Sequence, residues 1–462
     1  MQKIFDEVNS LDKRCYEEFF LNEDILMEHA ASSMCSYIED IFEENKSVLI
    51  ICGSGNNGAD GLALARLLHK KFDVNLYLAS EPKSSMAKLQ YKRVKTLNIK
   101  EVDELFQADI IVDCLFGTGL NKPLDQKYLN LIDTLNSYSS FKIACDIPSG
   151  INNLGQINSS TFQADVTITM GALKTSLFTD LAKDYVGEII VSNLGVQREI
   201  YETQTNKFLL DENDMKLPTR NKKDSNKGSF GHLNVILGSK KGAGIIASNA
   251  AFGFGAGLVS VVCDENVDLP YHIMQTTQNI SQNCTAIAIG MGLGKYDENK
   301  TKEILNKDVP KIIDADLFYD ELIFEVLDKE VVLTPHPKEF VSLLKLSGIA
   351  DISVQELQNN RFLYVEKFSK KYPKIVLLLK GANVIIAQNE KLYVNSFGSA
   401  VLSKGGSGDV LSGLIGSLLA QGYKPLDTAI SASLAHTLAA KNYKKNNYSL
   451  SPQDLIEEIK NL

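Results

Sequence analysis

The chain has 462 residues, of which 44% are hydrophobic and 23% charged, as is typical of a globular protein with two or three domains. Its net charge of −9 argues against a nucleic-acid-binding protein, because such proteins usually carry a basic face. We expect no nucleic-acid partner.

No apolar run is long enough to span a membrane, and residues 1–20 are rich in charge, so we expect neither a membrane segment nor a signal peptide. The seven cysteines are scattered, and several lie in apolar runs. This pattern predicts reduced core residues and a cytoplasmic protein. The six histidines show no metal-ligand spacing.

In the first half of the chain, short apolar runs alternate with stretches of helical periodicity. The predicted strands are 47–52, 74–79, 109–116, 141–148 and 165–171. This alternation predicts a parallel sheet covered by helices on both faces. The preceding stretch, 22–42, predicts a helix that packs on this unit or on a partner subunit.

Loops rich in glycine or polar residues follow three of these strands. The first, Gly53–Gly61, opens a helix and matches the pattern GxGxxG, which lets the backbone approach a pyrophosphate at a helix N-terminus. Taken alone the pattern is a weak signal, and Glu81 lies somewhat late for the acid that dinucleotide-binding sheets place after the second strand. The other two loops are 117–123 and 147–150.

The polar side chains of these loops are expected to converge, because the carboxyl ends of parallel strands meet at one edge of the sheet. They are Asn57, Asp60, Asp113, Asp146 and Ser149. Oxygen-rich groups of this kind suit a hard cation. Each strand-end aspartate taken alone could equally cap a turn, whereas three such loops together favour a binding site.

Four stretches in this half resemble the NAD(P)H-hydrate epimerase domain. They are GSGNNGADGLALARLL (53–68), VDCLFGTGLNKPL (112–124), DIPSGIN (146–152) and DVTITMGALKTSLF (165–178). The resemblance implies a Rossmann-like fold and K⁺ held by Asn57, Asp113 and Ser149. It departs from the family at Ser54, where proline is usual, and at Ala59, where glycine is common.

The same resemblance implies the residues that bind the hydrated cofactor. They are Asn56, Asn57, Gly58, Ala59, Asp60, Gly117, Thr118, Gly119, Leu120, Asn121, Lys122, Pro123 and Asp146. Loss of the hydroxyl beside the ring nitrogen would leave an iminium-like cation to which water returns on either face. A carboxylate such as Asp146 would stabilise that cation and move protons.

A polar stretch, 197–229, predicts a domain junction, after which the alternation resumes. The predicted strands are 232–238, 258–263, 286–292, 311–316, 330–336, 374–381 and 383–388, and the predicted helices are 243–256, 354–370, 408–421 and 426–442. We therefore expect a second α/β domain.

A glycine-rich turn, Gly405–Gly413, opens an apolar helix in this second domain. Backbone N–H groups at such a helix start form a pocket for phosphate charge, and Asp409 there could take a proton from an attacking hydroxyl. The alternative is a purely structural turn.

The stretches around this turn resemble the ADP- or ATP-dependent NAD(P)H-hydrate dehydratase. They are 227–244, 253–261, 290–294, 312–318, 333–340 and 378–386. The resemblance implies a ribokinase-like fold over residues 206–462, after an epimerase domain over residues 1–203. Met291 departs from the family, which usually has proline there.

By this resemblance, two sets of residues bind ligands. The hydrate set is Ala256 or Gly257, Gly292, His336 and Asp409, and the nucleotide set is Lys380, Gly381, Ala382, Asn383, Val384 and Gly408. The flanking prolines hold His336 stiffly at a strand end, although a lone histidine is more often structural. Lys380 follows an apolar run and would be costly to bury unpaired, so a nucleotide phosphate is its natural partner. Asp314 and Asp316 either bind Mg²⁺ or cap a strand.

Together the two resemblances predict an isomerase and a lyase in one chain. One half would interconvert the R and S hydrates of NADH or NADPH, and the other would phosphorylate the S form from ADP or ATP and expel phosphate, with Mg²⁺ neutralising the phosphates. Fusion of the two domains favours ADP, and family members often form homo-oligomers through both domains.

Three other functions are weighed against this one. The glycine-rich turn alone also fits a vitamin or sugar kinase of the ribokinase-like class. The first domain could be a non-catalytic binding or dimerisation module. An NAD-dependent dehydrogenase would depend only on GxGxxG and would leave the second half of the chain unexplained.

Overall fold

The structure, a computed structural model, describes residues 1–120, 122–277 and 279–462. These residues divide into two compact units: the N-terminal unit, residues 3–205, and the C-terminal unit, residues 206–462 together with residues 1–2. Within the described ranges, no helix is both long and apolar enough to cross a membrane. The seven cysteines are all free thiols.

The N-terminal part of the chain alternates strands and helices. The strands are β1 (Gln2–Phe5), β2 (Ser47–Cys52), β3 (Asp73–Leu78), β4 (Lys100–Glu101), β5 (Ile110–Cys114), β6 (Phe141–Cys145), β7 (Val166–Met170), β8 (Leu173–Lys174) and β9 (Glu188–Ser192). The helices are α1 (Asn9–Glu18), α2 (Glu23–Ile41), α3 (Asn56–Leu68), α4 (Ser85–Thr96), α5 (Gln126–Ser137), α6 (Lys183–Val186) and α7 (Arg198–Tyr201). A parallel sheet runs in the order β4-β3-β2-β5-β6-β7-β9, and β1 pairs in parallel with β8.

Strand β2 illustrates how the sequence buries both faces of this sheet. Successive side chains of a strand point to opposite faces, and nearly all of β2 is apolar. Val48 and Ile50 pack in one core cluster with α2, α3 and α4, whereas Leu49 and Ile51 pack in another with α5. The predicted sheet with helices on both faces is confirmed, and α2 packs on its own unit.

The C-terminal unit is a second α/β sheet. Its strands are β10 (Lys207–Leu209), β11 (His232–Ile236), β12 (Leu258–Val262), β13 (Met274–Thr276), β14 (Ala286–Ile289), β15 (Lys311–Ile313), β16 (Val331–Leu333), β17 (Val376–Leu379), β18 (Val384–Gln388) and β19 (Lys391–Asn395). The helices are α8 (Lys241–Gly253), α9 (Glu298–Leu305), α10 (Pro337–Leu346), α11 (Val354–Asn359), α12 (Arg361–Lys371), α13 (Ser407–Ala420), α14 (Pro425–Asn442) and α15 (Pro452–Ile459).

This sheet runs in the order β13-β12-β11-β14-β15-β16-β17-β18-β19-β10. Pairing is parallel from β13 to β17, antiparallel through β18 and β19, and parallel again between β19 and β10. Helices α8, α13 and α14 share its main apolar core. The predicted fold class, two successive α/β domains, is confirmed.

Several predicted strands end earlier than their apolar runs. β14, β15 and β16 stop at Ile289, Ile313 and Leu333, because the chain leaves the sheet at a left-handed glycine, Gly290, or at a capping residue, Asp314. The predicted helix 354–370 is two helices, α11 and α12, separated at Asn360. Among the residues trimmed from the strands are Gly292, Asp314 and His336, which the sequence singles out as candidate site residues.

Candidate active sites

At two positions of the loop after β2, close backbone contacts leave no room for any side chain, so glycine is required. A Cβ atom on Gly53 would lie 2.0 Å from the carbonyl oxygen of Leu115, and one on Gly58 would lie 2.0 Å from the carbonyl oxygen of Gly53. Gly55 has no such neighbour within 4 Å and lines a cavity instead. The loop therefore brings the start of α3 against the end of β5.

A cavity of about 640 Å³ lies at this edge of the N-terminal sheet, among the loops after β2, β5, β6 and β7 and the start of α1. It is lined by seven predicted hydrate-binding residues, namely Asn56, Asn57, Asp60, Gly117, Thr118, Gly119 and Asp146. Five other predicted residues, Gly58, Ala59, Leu120, Lys122 and Pro123, do not line it. Asn121 lies outside the described residues.

Asp146 is held in this cavity by a buried ion pair. Its backbone is left-handed (φ +70°), and its Oδ1 accepts hydrogen bonds from Lys174 Nζ (2.6 Å) and from the backbone N–H of Met170 (3.1 Å). Only 2% of the Lys174 side chain is exposed. Sequence reasoning did not assign a role to Lys174, although a lysine at the end of the largely apolar stretch 166–174 was a usable signal.

A second buried carboxylate, Asp113, ends β5. Its Oδ1 accepts hydrogen bonds from Ser149 Oγ (2.7 Å) and the Leu115 N–H (3.1 Å), and its Oδ2 accepts one from the Ser149 N–H (2.7 Å). Burial nevertheless raises the pKa of Asp113 to about 6. The predicted pair Asp113 and Ser149 is thus in direct contact.

Asn57, the third predicted cation ligand, carries a buried amide nitrogen with no hydrogen-bond partner among the described residues. Its Oδ1 and the Oδ2 of Asp146 flank Gly117, 3.3 and 3.2 Å from where a Cβ would stand. An amide N–H group donates and does not bind a cation, so the atoms suited to a cation here are Asn57 Oδ1 and the carboxylate of Asp113, whose charged form burial disfavours. Within the described ranges, no three His, Cys, Asp or Glu side chains form a metal-binding cluster.

Two further acidic residues, one lining this cavity and one bonded to a residue that lines it, were missed by sequence reasoning. Asp12, from α1, lines the cavity and accepts a hydrogen bond from Tyr201 Oη at 2.8 Å. Glu23, at the start of α2, accepts one from Asn56 Nδ2 at 2.6 Å. They precede the first predicted strand, so no motif marked them.

The glycine-rich turn of the C-terminal unit forms as predicted at the start of α13. Gly406 is left-handed (φ +92°), helix α13 begins at Ser407, and Asp409 lies in its first turn. Desolvation raises the pKa of Asp409 to about 6, and the nearby carboxylate of Asp314 adds to the shift. An acid of this kind is suited to act as a proton acceptor near neutral pH.

Lys380 faces this turn. Its Nζ lies 3.4 Å from where a Cβ on Gly408 would stand, and it donates a hydrogen bond to Asp314 Oδ1 at 2.7 Å. Asp314 Oδ2 also accepts a hydrogen bond from Ser412 Oγ at 2.6 Å, and its Oδ1 caps the following turn. Lys380 therefore has a protein partner in addition to the phosphate predicted for it.

The other predicted nucleotide-binding residues form the connection from β17 to β18. Gly381 and Ala382 are exposed, whereas Asn383 and Val384 are buried. The connection begins at Lys380, whose N–H donates to the carbonyl oxygen of Pro335 at 2.9 Å. The segment before α10 and this connection are thereby held together.

His336 is the N-cap of α10. Its Nδ1 accepts hydrogen bonds from the N–H groups of Lys338 and Glu339, and its Nε2 lies 3.1 Å from Glu339 Oε1. Partial burial lowers the pKa of His336 and raises that of Glu339 to about 7. His336 therefore has a structural role as the cap of α10, and 46% of its side chain remains exposed and accessible to a ligand.

The structure does not bring Ala256 and Gly257 close to Gly292, another residue of the predicted hydrate-binding set. They precede β12, at the amino edge of the sheet, and a Cβ on Gly257 would meet the carbonyl oxygen of Lys227 at 1.8 Å. Gly292 follows β14 at the opposite edge, where Ala243, at the start of α8, is its neighbour: a Cβ on Gly292 would lie 3.2 Å from that of Ala243. Helix α8 thus separates Ala256 and Gly257 from Gly292, and Ala243 lies at the end of α8 that is near Gly292.

Comparison with known proteins identifies both halves. Residues 23–176 match the family described as YjeF-related protein N-terminus, and residues 233–461 match NAD(P)H-hydrate dehydratase. The Helicobacter pylori bifunctional NAD(P)H-hydrate repair enzyme Nnr is 45% identical over the full length of both chains. The chain belongs to this family.

A more distant relative agrees with this assignment, and part of the chain is also similar to a solved structure. The Escherichia coli enzyme of the same name is 31% identical over 90% of this chain and 84% of its own. The solved ADP/ATP-dependent NAD(P)H-hydrate dehydratase from Bacillus subtilis is 26% identical, with a TM-score of 0.45 over 53% of this chain and 92% of its own. The predicted epimerase and dehydratase pair is confirmed at the level of the family, and the kinase alternative is weaker because the full-length relatives bear the repair name.

A buried histidine that the sequence did not mark supports the glycine-rich turn at the start of α13. His436, on α14, is 7% exposed, and its Nε2 lies 3.0 Å from the carbonyl oxygen of Ser407. Burial lowers the pKa of His436 to about 4, so the ring is neutral near pH 7 and donates one hydrogen bond to the first residue of α13.

Proposed function

We propose that residues 1–203 interconvert the R and S hydrates of NADH and NADPH, and that residues 206–462 dehydrate the S form at the expense of ADP, giving AMP and phosphate. The observation that carries the dehydratase role is the cationic side chain of Lys380 facing the glycine turn beside the half-buried Asp409. ATP, giving ADP, is the alternative donor.

In the proposed dehydration, Asp409 takes the proton of the substrate hydroxyl as that oxygen attacks the terminal phosphorus. The N–H groups at the start of α13 and the ammonium group of Lys380 stabilise the negative charge on the transferred phosphoryl group. The ring nitrogen then expels phosphate, which is a far better leaving group than hydroxide, and reduced nicotinamide is restored.

Mg²⁺ bound with the nucleotide would supply neutralisation of phosphate charge. Both oxygens of Asp314 already accept hydrogen bonds, whereas Asp316 Oδ1 accepts none from the described residues and its Oδ2 accepts one from the Gly294 N–H. We therefore assign the better magnesium position to Asp316. Mg²⁺ usually keeps several waters and binds few carboxylates, in keeping with the small donor set.

In the proposed epimerisation, the cavity beside Asp146 holds the hydrated ring, and the carboxylate stabilises the iminium-like cation. Asn57, Asp113 and Ser149 would hold K⁺, whose charge would favour the buried carboxylate of Asp113. Activation by K⁺ should weaken at acid pH, because protonated Asp113 no longer attracts a cation, and bound K⁺ should hold the pKa of Asp113 below the value of about 6 that it has without the ion. Epimerisation rates in KCl and in LiCl, for the native enzyme and Asp113→Asn, test this.

The proposal is tested by incubating the full chain with separated R and S hydrates and with ADP or ATP. We expect the S hydrate to regain the absorbance of reduced nicotinamide with stoichiometric release of phosphate, and the R hydrate to follow through epimerisation. A stable phosphorylated product would identify a kinase instead, and absence of R-to-S conversion would refute the epimerase role.

We further propose a cytoplasmic homo-oligomer. All seven cysteines are free, in keeping with a reducing compartment, and several large apolar side chains of the C-terminal unit are exposed, including Tyr271 and Phe252. Mass measurement in solution tests the assembly.

A further inference from the structure

A second carboxyl group, that of Asp12, lies in the epimerase cavity without an assigned role. It reaches the cavity from α1, whereas Asp146 reaches it from the end of β6. Asp12 Oδ1 accepts the hydrogen bond from Tyr201, and its Oδ2 accepts none from the described residues. Burial raises the pKa of Asp12, so its protonated form persists to higher pH than that of an ordinary aspartate.

The hydrogen-bond partner of Asp12 is fixed by packing. Tyr201, at the end of α7, is 1% exposed, and its ring fills the space beside Gly171 (φ +73°), where a Cβ would lie 2.6 Å from the ring. Because the Tyr201 ring is completely buried, its hydroxyl stays in place and holds the Asp12 side chain in one position. Asp12 is therefore held with one oxygen bound and the other left for a ligand.

Asp146 has the same division of its two oxygens. Its Oδ1 receives Lys174 and the Met170 N–H, whereas its Oδ2 accepts no hydrogen bond from the described residues and lies beside Gly117, which lines the cavity. The cavity thus presents two carboxyl oxygens, from different elements, to a bound ring.

Epimerisation needs two proton-transfer groups, because the hydroxyl departs from one face of the ring and water returns to the other. We propose that Asp12 is the second catalytic acid–base residue of the epimerase and serves the ring face opposite to the one served by Asp146. This inference depends on the epimerase function proposed above for the cavity.

The proposed steps balance as follows. Protonated Asp12 gives its proton to the departing hydroxyl as the C–O bond breaks, so that water leaves with the bonding pair and the ring becomes an iminium ion. A water on the other face forms the new C–O bond and gives its proton to the carboxylate of Asp146. The opposite epimer reacts through the same steps in reverse, and exchange with solvent resets the protons.

The first test is Asp12→Asn in the full chain, with Glu17→Gln, an exposed carboxyl on the same helix, as the matched control. We expect R-to-S conversion to fall at least a hundredfold towards the spontaneous rate in Asp12→Asn, and to stay unchanged in Glu17→Gln. Dehydration of the pure S hydrate, carried by the other unit, should be unchanged in both variants.

The second test, Tyr201→Phe, keeps the carboxyl group and removes only its hydrogen bond. Because that bond lowers the pKa of Asp12, its loss should raise the pKa and move the high-pH fall of epimerisation upward. A purely structural role for the phenol would lower the rate without moving the profile. The variant retains every other titratable group that interacts electrostatically with Asp12. These are Lys174, Asp146, Glu23, Asp60, Tyr16 and Cys15; only Tyr201 is changed.

The outcomes separate the two hypotheses. Full epimerisation by Asp12→Asn, or an unmoved pH profile in Tyr201→Phe, overturns the role of Asp12 while leaving the epimerase function standing if Asp146→Asn is inactive. Full activity in both Asp12→Asn and Asp146→Asn would remove the proposed active site itself. Should Asp12→Asn prove unstable, the profile of Tyr201→Phe decides.

Discussion

At the scale of single residues, burial raises the pKa of one proposed proton-transfer carboxyl in each unit, Asp12 and Asp409. Asp409 has a pKa of about 6, with desolvation as the main cause, and the charge of Lys380 keeps the pKa from rising further. A proton acceptor must be ionised to act, so its pKa sets the lower limit of the working pH range.

Dehydration should therefore lose activity as the pH falls below about 6 and reach a plateau above it. We expect kcat/KM for the S hydrate to drop ~10-fold per pH unit on the acid side. Asp409→Asn should lower kcat by ~10²–10⁴-fold at pH 7.5. Initial rates of absorbance recovery between pH 5 and pH 8 check both outcomes, and a flat profile would contradict the assignment.

Residues in recognisable motifs were predictable, and those that act from outside the motifs were not. Asp113, Asp146, Ser149 and Asp409 follow strands or open a helix, so parallel-sheet geometry placed them. Asp12 precedes all of the motifs and reaches the site through tertiary packing. Lys174 lies within the stretch 165–178, but that stretch does not reveal that its partner is Asp146.

At the scale of elements, glycines position helix starts against neighbouring strands and side chains. The two glycines of the phosphate turn differ in what a methyl group would meet: at Gly408 it would lie 3.4 Å from Lys380 Nζ, whereas at Gly405 it would have no neighbour within 4 Å. Neither glycine is left-handed, so alanine is sterically compatible with both backbones.

We expect Gly408→Ala to place a methyl group in contact with the Lys380 ammonium, in the space proposed for the nucleotide phosphate, and so to raise KM for the nucleotide about tenfold with little change in thermal stability. Gly405→Ala is the matched control and should stay within twofold of the native enzyme. Steady-state kinetics with varied ADP measure the difference, and equal KM values for the two variants would show that the ammonium does not touch the nucleotide.

The loop after β2 allows a similar comparison for stability. A methyl group on Gly53 would overlap the carbonyl oxygen of Leu115 and force β2 from β5, at a cost of about 1–3 kcal/mol or more. Gly55→Ala has open space and should leave the free energy of unfolding of the native protein unchanged. Urea unfolding followed by circular dichroism distinguishes them.

Helices and strands with a long apolar pattern were predicted correctly from the sequence. Elements next to turns that lack typical turn residues were not. The sequence analysis missed the hairpin between β18 and β19. Its two turn residues, Asn389 and Glu390, both have positive φ (+48° and +61°). Such turns usually carry glycine at the second position, and glutamate there gives no sequence signal for a turn. Similar glycine–alanine sequences stand at the start of α8 and just after its end, so the sequence alone does not show that Ala243, and not Ala256 or Gly257, lies beside Gly292.

At the scale of the whole molecule, two compact units carry complementary activities on one diffusible substrate. Variants that inactivate opposite units should therefore complement each other in solution. Asp146→Asn alone should clear the S half of a racemic hydrate rapidly and the R half only at the spontaneous rate.

Addition of an equal amount of Asp409→Asn should restore rapid clearance of the whole mixture. Recovery of absorbance over time measures this, with Glu17→Gln in place of Asp409→Asn as a positive control. Failure of the mixture to exceed Asp146→Asn alone would mean that the hydrate passes between units without release.

The hydrogen bond between Asp12 and Tyr201 joins residues 189 positions apart, near the two ends of the N-terminal unit. A ribosome that adds roughly 5–20 residues per second needs about 10–40 s to make the second partner after the first. The nascent chain therefore contains the glycine loop and the strands of the N-terminal sheet before Tyr201 is made. The carboxyl group of Asp12 gains its hydrogen-bond partner only when synthesis has passed residue 201.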